Sequence, residues 1–512
     1  MFARAQKAVS GASSVSAPVG GWNARDAVAD MKPEDAVFLR NLIPSTTNVV
    51  LRAGYSRFST GLPSKVDTLM AYSSGTSQQL WAASGGGFYN VSAGGAVGAA
   101  AVSGLTNSRW QYVNITTPGG SYMMAVNGAD KLETYNGTTW NADGSGAPYD
   151  ITGVDTRDVI QINLHQNRVW LIVKNTLKPF YLGTSSIGGA ATAFDLSAVA
   201  KRGGYLMAMG TWTIDAGQGP NDYAAFITSN GEIMVYSGTN PASSTTWALV
   251  GVWWLGSPVG RRCFVKYAGD LALICNDGVF PMSAALQSSR LNPRVALSDK
   301  IMFAVSEAIT NYGANFGWQL IPYPNKNMLI LNVPISEGSA QQQYVMNTIT
   351  QAWCNFTGWQ ANCWELWQDD IYFGGDGYVG KAWNTNSDNG VDIVGDGLQA
   401  FSYFGSKAQK RFTMMRPVIY TDGASTVSAG INLDYDINDT TTPIAFSPPT
   451  AGLWGTGIWG SSAWGSSLSV SLVWQGVRGV GFAAAPHFKA SSNTNQVQWV
   501  STDLVYERGG IL

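Results

Sequence analysis

Apolar residues along this chain come in short dense runs, each broken by Gly, Asn or Asp and answered by a second run that ends in an aromatic. Leu80-Trp81-Ala82-Ala83 is followed by a turn at 84–87 and then by Phe88-Tyr89. The figure returns at Tyr122-Met123-Met124-Ala125-Val126 before Asn127-Gly128, and at Val169-Trp170-Leu171-Ile172-Val173 before Asn175. Further copies are 223–228 before Asn230-Gly231, Leu271-Ala272-Leu273-Ile274 before Asn276-Asp277-Gly278, 328–333 before a loop through Gly338, and Asp370-Ile371-Tyr372-Phe373 before 374–377. Runs of this length between turn residues predict β-hairpins. The turn centres near 85, 128, 175, 230, 277, 337 and 375 are separated by roughly 38 to 60 residues, close to the blade period of a β-propeller. An open sandwich or a series of uneven meanders is the competing arrangement.

The pattern therefore predicts an all-β protein: a propeller of six or seven blades at 63–394, preceded by an extended N-terminal arm and docking segment at 1–62. A C-terminal β-sandwich-like platform domain is expected at 395–512, where 411–420, 430–436, 470–474, 479–483 and 497–506 read as longer strands. One helix interrupts the ring. Ser298-Asp299 is a good helix start, and Ile301, Val305, Ala308 and Ile309 share one face, which predicts a helix packed on the side of the ring between the fifth and sixth hairpins. A shorter helical stretch is predicted at 32–39, with Pro33 in its first turn. After Pro44, Asn48-Val49-Val50-Leu51-Arg52 then reads as a strand.

Composition sharpens this picture. Charged residues are 12% of the 512, against about 25% in an ordinary soluble domain. Aromatics are also 12%, with 20 tryptophans, and net charge is -2. A chain 45% hydrophobic with so little net charge is not intrinsically disordered. No heptads run through it, its glycines have no three-residue period, and no apolar window is long enough for a membrane span. The segment after Arg4 and Lys7 is too polar for a signal-peptide core and reads as an arm. Cys263, Cys275, Cys354 and Cys363 form no CxxC pair and read as buried thiols. Without a Lys/Arg cluster the chain is not expected to grip nucleic acid through phosphates, although a near-neutral surface suits DNA that slides past.

Chemistry-bearing motifs are sparse. There is no nucleophile elbow, no phosphate loop, and the two histidines, His165 and His487, have no nucleophile beside them. Glycan-cleaving propellers of the sialidase type would need an arginine cluster for a carboxylate, and Arg261-Arg262 stands alone in the sequence. Asp369-Asp370 and the pair Asp434 and Asp436, two apart on one strand, are carboxylates by adjacency only. The expectation is a protein that is not an enzyme, with no catalytic, cofactor or metal residues. The Trp-Gly-rich loop holding Trp454, Trp459 and Trp464 is expected to contact another chain, with a carbohydrate platform as the alternative, since exposed tryptophans are unusual.

The N-terminal residues carry a resemblance. Gly21-Trp22-Asn23-Ala24-Arg25-Asp26, Met31-Lys32-Pro33-Glu34-Asp35-Ala36, Asn41-Leu42-Ile43-Pro44 and Leu51-Arg52-Ala53-Gly54-Tyr55 resemble the opening of the short-tailed-phage tail tubular protein B, or nozzle, family. The hairpin series resembles that family's propeller, and Lys410-Arg411-Phe412 onward its platform. The resemblance implies a structural virion protein, assembled in a host cytoplasm, whose copies form a hexameric ring as the distal tail tube. Its partners would be itself, a head-to-tail adaptor ring, tail fibres, and phage DNA passing without sequence-specific binding. Trp22, Arg25 and Asp26, with the three loop tryptophans, are the expected interface residues. The alternatives are a host-glycan-binding or glycan-cleaving propeller of a tail spike, with Trp353, Trp359, Trp364 and Trp367 stacking on sugars, and a fibre-attachment protein.

Overall fold

The computed structural model describes residues 10–75, 77–215, 220–285, 293–444 and 468–509. Among the described residues, seven small antiparallel sheets stand around one axis. In the second blade the strands are Gln111–Thr117, Gly120–Val126, Glu133–Tyr135 and Trp140–Ala142, running outward from the axis. The third blade begins at Val159–His165, the fourth at Leu206–Asp215, the fifth at Phe264–Tyr267, the sixth at Gln319–Tyr323 and the seventh at Cys363–Trp367. The long strand Tyr55–Ser73 closes the ring. Its first half is the outer strand of the seventh blade, pairing Thr60 with Tyr378 and Tyr55 with Ala382. Its second half is the inner strand of the first blade, pairing Val66 with Ser84 and Ser73 with Gln78.

Each of the seven expected hairpins is the second-to-third-strand hairpin of one blade. The unbroken apolar runs follow from geometry. Side chains alternate between the two faces of a strand, and in a blade both faces are covered by neighbours. Val169, Leu171 and Val173 accordingly join the core between the second and third blades. Trp170 and Ile172, one residue out of phase, join the core between the third and fourth. Trp110, Trp170, Trp353, Trp359 and Trp364 are among the largest fully buried side chains, so most of the ring's tryptophans serve packing. Trp353, Trp359, Trp364 and Trp367 are all buried, which removes them as an open sugar platform.

The helix Met302–Tyr312 follows a 3-10 turn, Asp299–Ile301, and buries Val305, Ala308 and Ile309 between the fifth and sixth blades. Ser298 does not cap it. Its hydroxyl instead accepts the Val279 backbone N–H at 3.0 Å.

The segment expected as an arm is built into the platform. Ser10–Ser16 pairs along its length with Val497–Arg508, and Val49–Leu51 and Leu42–Pro44 extend the same sheet, which also holds Lys410–Thr421. A second sheet runs through Asp35–Arg40, Ile393–Gln399, Ala484–Ser492 and Thr426–Leu433, and a single parallel pairing of Arg40 with Asn355 joins it to the outer strand of the sixth blade. The helix predicted at 32–39 is thus a strand from Asp35 onward. Its apolar residues bury themselves by sheet pairing, and Asp35 is tied into an ion network rather than placed at a helix N-terminus.

Candidate functional site

Two places gather charged side chains: the junction between platform and ring, and the ring's axis. At the junction Arg52 is 2% exposed. Its Nη1 and Nη2 donate to the two carboxylate oxygens of Asp388 at 2.8 and 2.6 Å, and its Nε donates to Asn41 Oδ1 at 2.9 Å. The guanidinium also lies 4.7 Å from the centre of the Trp359 ring, whose Nε1 donates to Asp388 at 3.1 Å. Asn41 sits at a φ of 53°, a left-handed position that Asn tolerates better than most residues. Its amide donates to the Val394 carbonyl at 2.9 Å. A Cβ on Gly54 would come within 1.9 Å of the Ser387 carbonyl oxygen, so only glycine lets the strand pass there. Asn41, Arg52 and Gly54, which help carry the resemblance, meet in one buried latch.

Trp22, Arg25 and Asp26 lie nearby in a second clamp. Trp22 is half-buried and meets the Tyr344 ring edge-on at 5.2 Å. Arg25 Nε donates to Asp26 Oδ1 at 2.8 Å, and Arg25 also pairs with Asp299. Asn23 donates to Asp35 at 2.8 Å and to Asp26 at 2.9 Å, while Lys300 Nζ donates to Asp35 at 2.5 Å. Hydrogen bonds from Arg25 and Asn23 hold the Asp26 carboxyl down at about 2. These three expected interface residues are therefore engaged within the chain. Trp454, Trp459 and Trp464 lie outside the described residues.

The other carboxylates and histidines have structural partners. Asp434 and Tyr435 both take left-handed backbone positions, so Asp434 and Asp436 do not share a strand face. The Asp434 carboxylate accepts the Phe482 and Ala483 N–H groups at 2.7 and 2.9 Å. Asp370 pairs with Lys381 at 2.5 Å. His165 is buried, which pulls its imidazole down to about 4, and His487 sits 2.8 Å from Asp396.

On the axis, the inner strands line a narrow cavity of about 370 Å³ whose walls include Gln161, Asn163, Lys266, Gln319 and Glu365. Duplex DNA, with a major groove alone about 12 Å wide, does not fit through a passage of this size. Glu365 faces Tyr112 there, and burial pushes the carboxyl up to about 7. Toward one end the passage opens into a funnel of about 1040 Å³, formed by the segments that lead into the inner strands and by the turn at 127–129.

Among the described residues, four cations reach this funnel: Lys65, Arg109, Arg261 and Arg262. Arg262 ties the first, second and sixth blades together. Its Nη2 donates to Thr68 Oγ1 at 2.8 Å and the Trp110 carbonyl at 3.1 Å, and its Nη1 to Gln319 Oε1 at 3.4 Å. Arg109 donates to Glu337 at 2.7 Å and shares the Phe316 ring with Arg262, the two guanidiniums lying 4.5 and 5.2 Å from its centre. Arg261 is exposed to the funnel, and its side chain donates one hydrogen bond among the described residues, to the Asn127 carbonyl at 3.2 Å. The adjacent Arg261-Arg262 pair was visible in the sequence. Its convergence with Lys65 and Arg109 was not, because those residues come from other blades.

The arrangement offers a concave, cation-bearing mouth above a smaller axial cavity. No protein-family model matches the sequence, and no curated protein matches it. Among solved structures the chain is similar to BBS1N in complex with ARL6DN, at 9% identity over 65% of this chain and 99% of that one, with a TM-score of 0.39. It is similar to YCF48 from Cyanidioschyzon merolae at 10% identity, covering 64% and 98% of the two chains, with a TM-score of 0.38. It is also similar to the Cps50 (Swd1) β-propeller domain of Myceliophteria thermophila, at 10% identity over 63% and 100%, with a TM-score of 0.39. The protein is an all-β chain whose own sheets form a propeller with an attached β-sandwich platform.

Proposed function

We propose that this chain is a non-enzymatic ring subunit of a short-tailed phage tail, a nozzle-type protein whose copies surround the path of the DNA. The observation that carries the reading is a pair of exposed apolar strips on separate parts of the molecule. The outer strand of the fourth blade, Trp247–Trp254, contains no charged residue, leaves its outer edge without a partner strand among the described residues, and exposes Leu249 by 44%, Val250 by 50% and Trp254 by 40%. A long apolar edge of this kind is a template for another chain. The second strip is at the platform's edge, with Val470 exposed by 46%, Leu472 by 51%, Val480 by 56% and Phe482 by 48%.

The platform joins the ring at the sixth blade, two blades round from the first strip. A closed ring needs head-to-tail contacts between two different surfaces, and two such strips supply them. The occupant of each is a second copy of this chain. The lumen then lies between copies rather than along any one propeller axis, and the sparse charge favours passage without adhesion. The adaptor and fibre contacts implied by the resemblance belong to the same proposal.

Light scattering on the purified full chain tests it. The expected mass is six times 54.6 kDa, and the pair Leu249→Glu, Val250→Lys reduces it toward one subunit. A wild-type chain that stays a strict monomer, alone and with an adaptor, overturns the proposal.

A further inference from the structure

We infer that the funnel at the axial mouth binds the carboxylate of an acidic sugar, with Arg261 as the residue that holds it. The cavity of about 1040 Å³ is at the upper end of the usual range for small-ligand sites. Its cations are not equally free. Arg109 is paired with Glu337, and the Arg262 donors are directed at carbonyl, hydroxyl and amide oxygens of the surrounding blades. Arg261 has no carboxylate within ion-pair distance among the described residues, and one hydrogen bond leaves most of its five N–H donors unused. Lys65 lines the same wall, and its charge also acts on Asp67 and Glu337. A planar guanidinium fork beside an ammonium in a concave site suits a carboxylate.

Asp67 lines the same mouth and partly offsets its cations, so the site favours an anion whose uncharged body adds contacts of its own. The rest of the lining suits a polar body. Gln111 lines the wall, Tyr205 is 36% exposed, and Gly128 and Gly260 keep the wall free of side chains. An acidic monosaccharide combines one carboxylate with such a body. This site does not depend on ring formation, because every residue in it comes from one chain.

Calorimetric titration of the full chain with N-acetylneuraminic acid and glucuronic acid tests the inference, with N-acetylglucosamine and inorganic phosphate as comparison probes. At least one acidic sugar is expected to bind, and neither comparison probe to match it. Arg261→Gln is expected to weaken binding at least about tenfold, the loss of a charge-assisted contact, with the melting temperature nearly unchanged. Arg261→Lys, which keeps the charge and removes the fork, is expected to fold normally and bind several-fold more weakly than wild type. The inference is overturned if neither acidic sugar binds, if phosphate binds as tightly, or if both Arg261 variants keep wild-type affinity. The Leu249→Glu, Val250→Lys pair is expected to lose self-association while keeping sugar binding, so failure of the ring proposal and failure of this one are separate results.

Discussion

Arg52 and Arg261 are the same residue type put to opposite uses. Arg52 is enclosed, with its carboxylate partner, an amide acceptor and an aromatic face all supplied by the chain. Arg261 projects into a funnel with, among the described residues, a single backbone carbonyl as hydrogen-bond partner. A charge that the fold satisfies completely is a fastening, and a charge left with open donors in a concavity is available to something else. The junction between platform and ring and the mouth of the axis are therefore best told apart by what each loses when its arginine is removed.

The largest expected effect is at the junction. Arg52→Met leaves Asp388 enclosed without its cation and is expected to cost about 3–5 kcal/mol, read as a large drop in melting temperature. Gly54→Ala should follow, at about 1–3 kcal/mol, because the added methyl collides with backbone rather than with a side chain able to move. Glu365 gives a smaller, pH-dependent effect. Its carboxyl titrates at about 7 in the fold against an ordinary 4.5, so the stability of the protonated form is fully present below pH 4.5 and is lost as pH rises through 7. Glu365→Gln is then expected to stabilise the protein on the order of 1 kcal/mol at pH 8, allowing for the water that reaches the channel, and to change little at pH 4. Denaturant titrations at the two pH values check this, and equal effects at both would contradict it. Arg261→Gln should be smallest in stability, within about 0.5 kcal/mol, while changing ligand binding most. A large melting shift for Arg261→Gln would erase the contrast with Arg52.

The contrast also marks what the sequence makes legible. The second and third strands of each blade are covered on both faces, so Val169 to Val173 or Leu271 to Ile274 appear as unbroken apolar runs and locate the blades. Inner strands face a channel of mixed lining, and residues such as Gln161, Asn163 and Lys266 interrupt their apolar pattern. Ser10–Ser16 is held by backbone pairing with a strand almost five hundred residues away, and its small polar side chains give no hint of it. The stretch at 32–39 misleads because Pro33, Glu34 and Asp35 satisfy local helix rules, while the partners that make Asp35–Arg40 a strand come from 393–399. The funnel is hidden for the same reason: Lys65, Arg109 and Arg261 are neighbours only once the ring closes.

Electron-microscopic class averages of the purified full chain test the central claim most directly. The account predicts rings of sixfold symmetry around an open central passage, with each subunit's own propeller axis closed and set away from that passage. Isolated propeller particles, or closed two-fold pairs with no central passage, would contradict it.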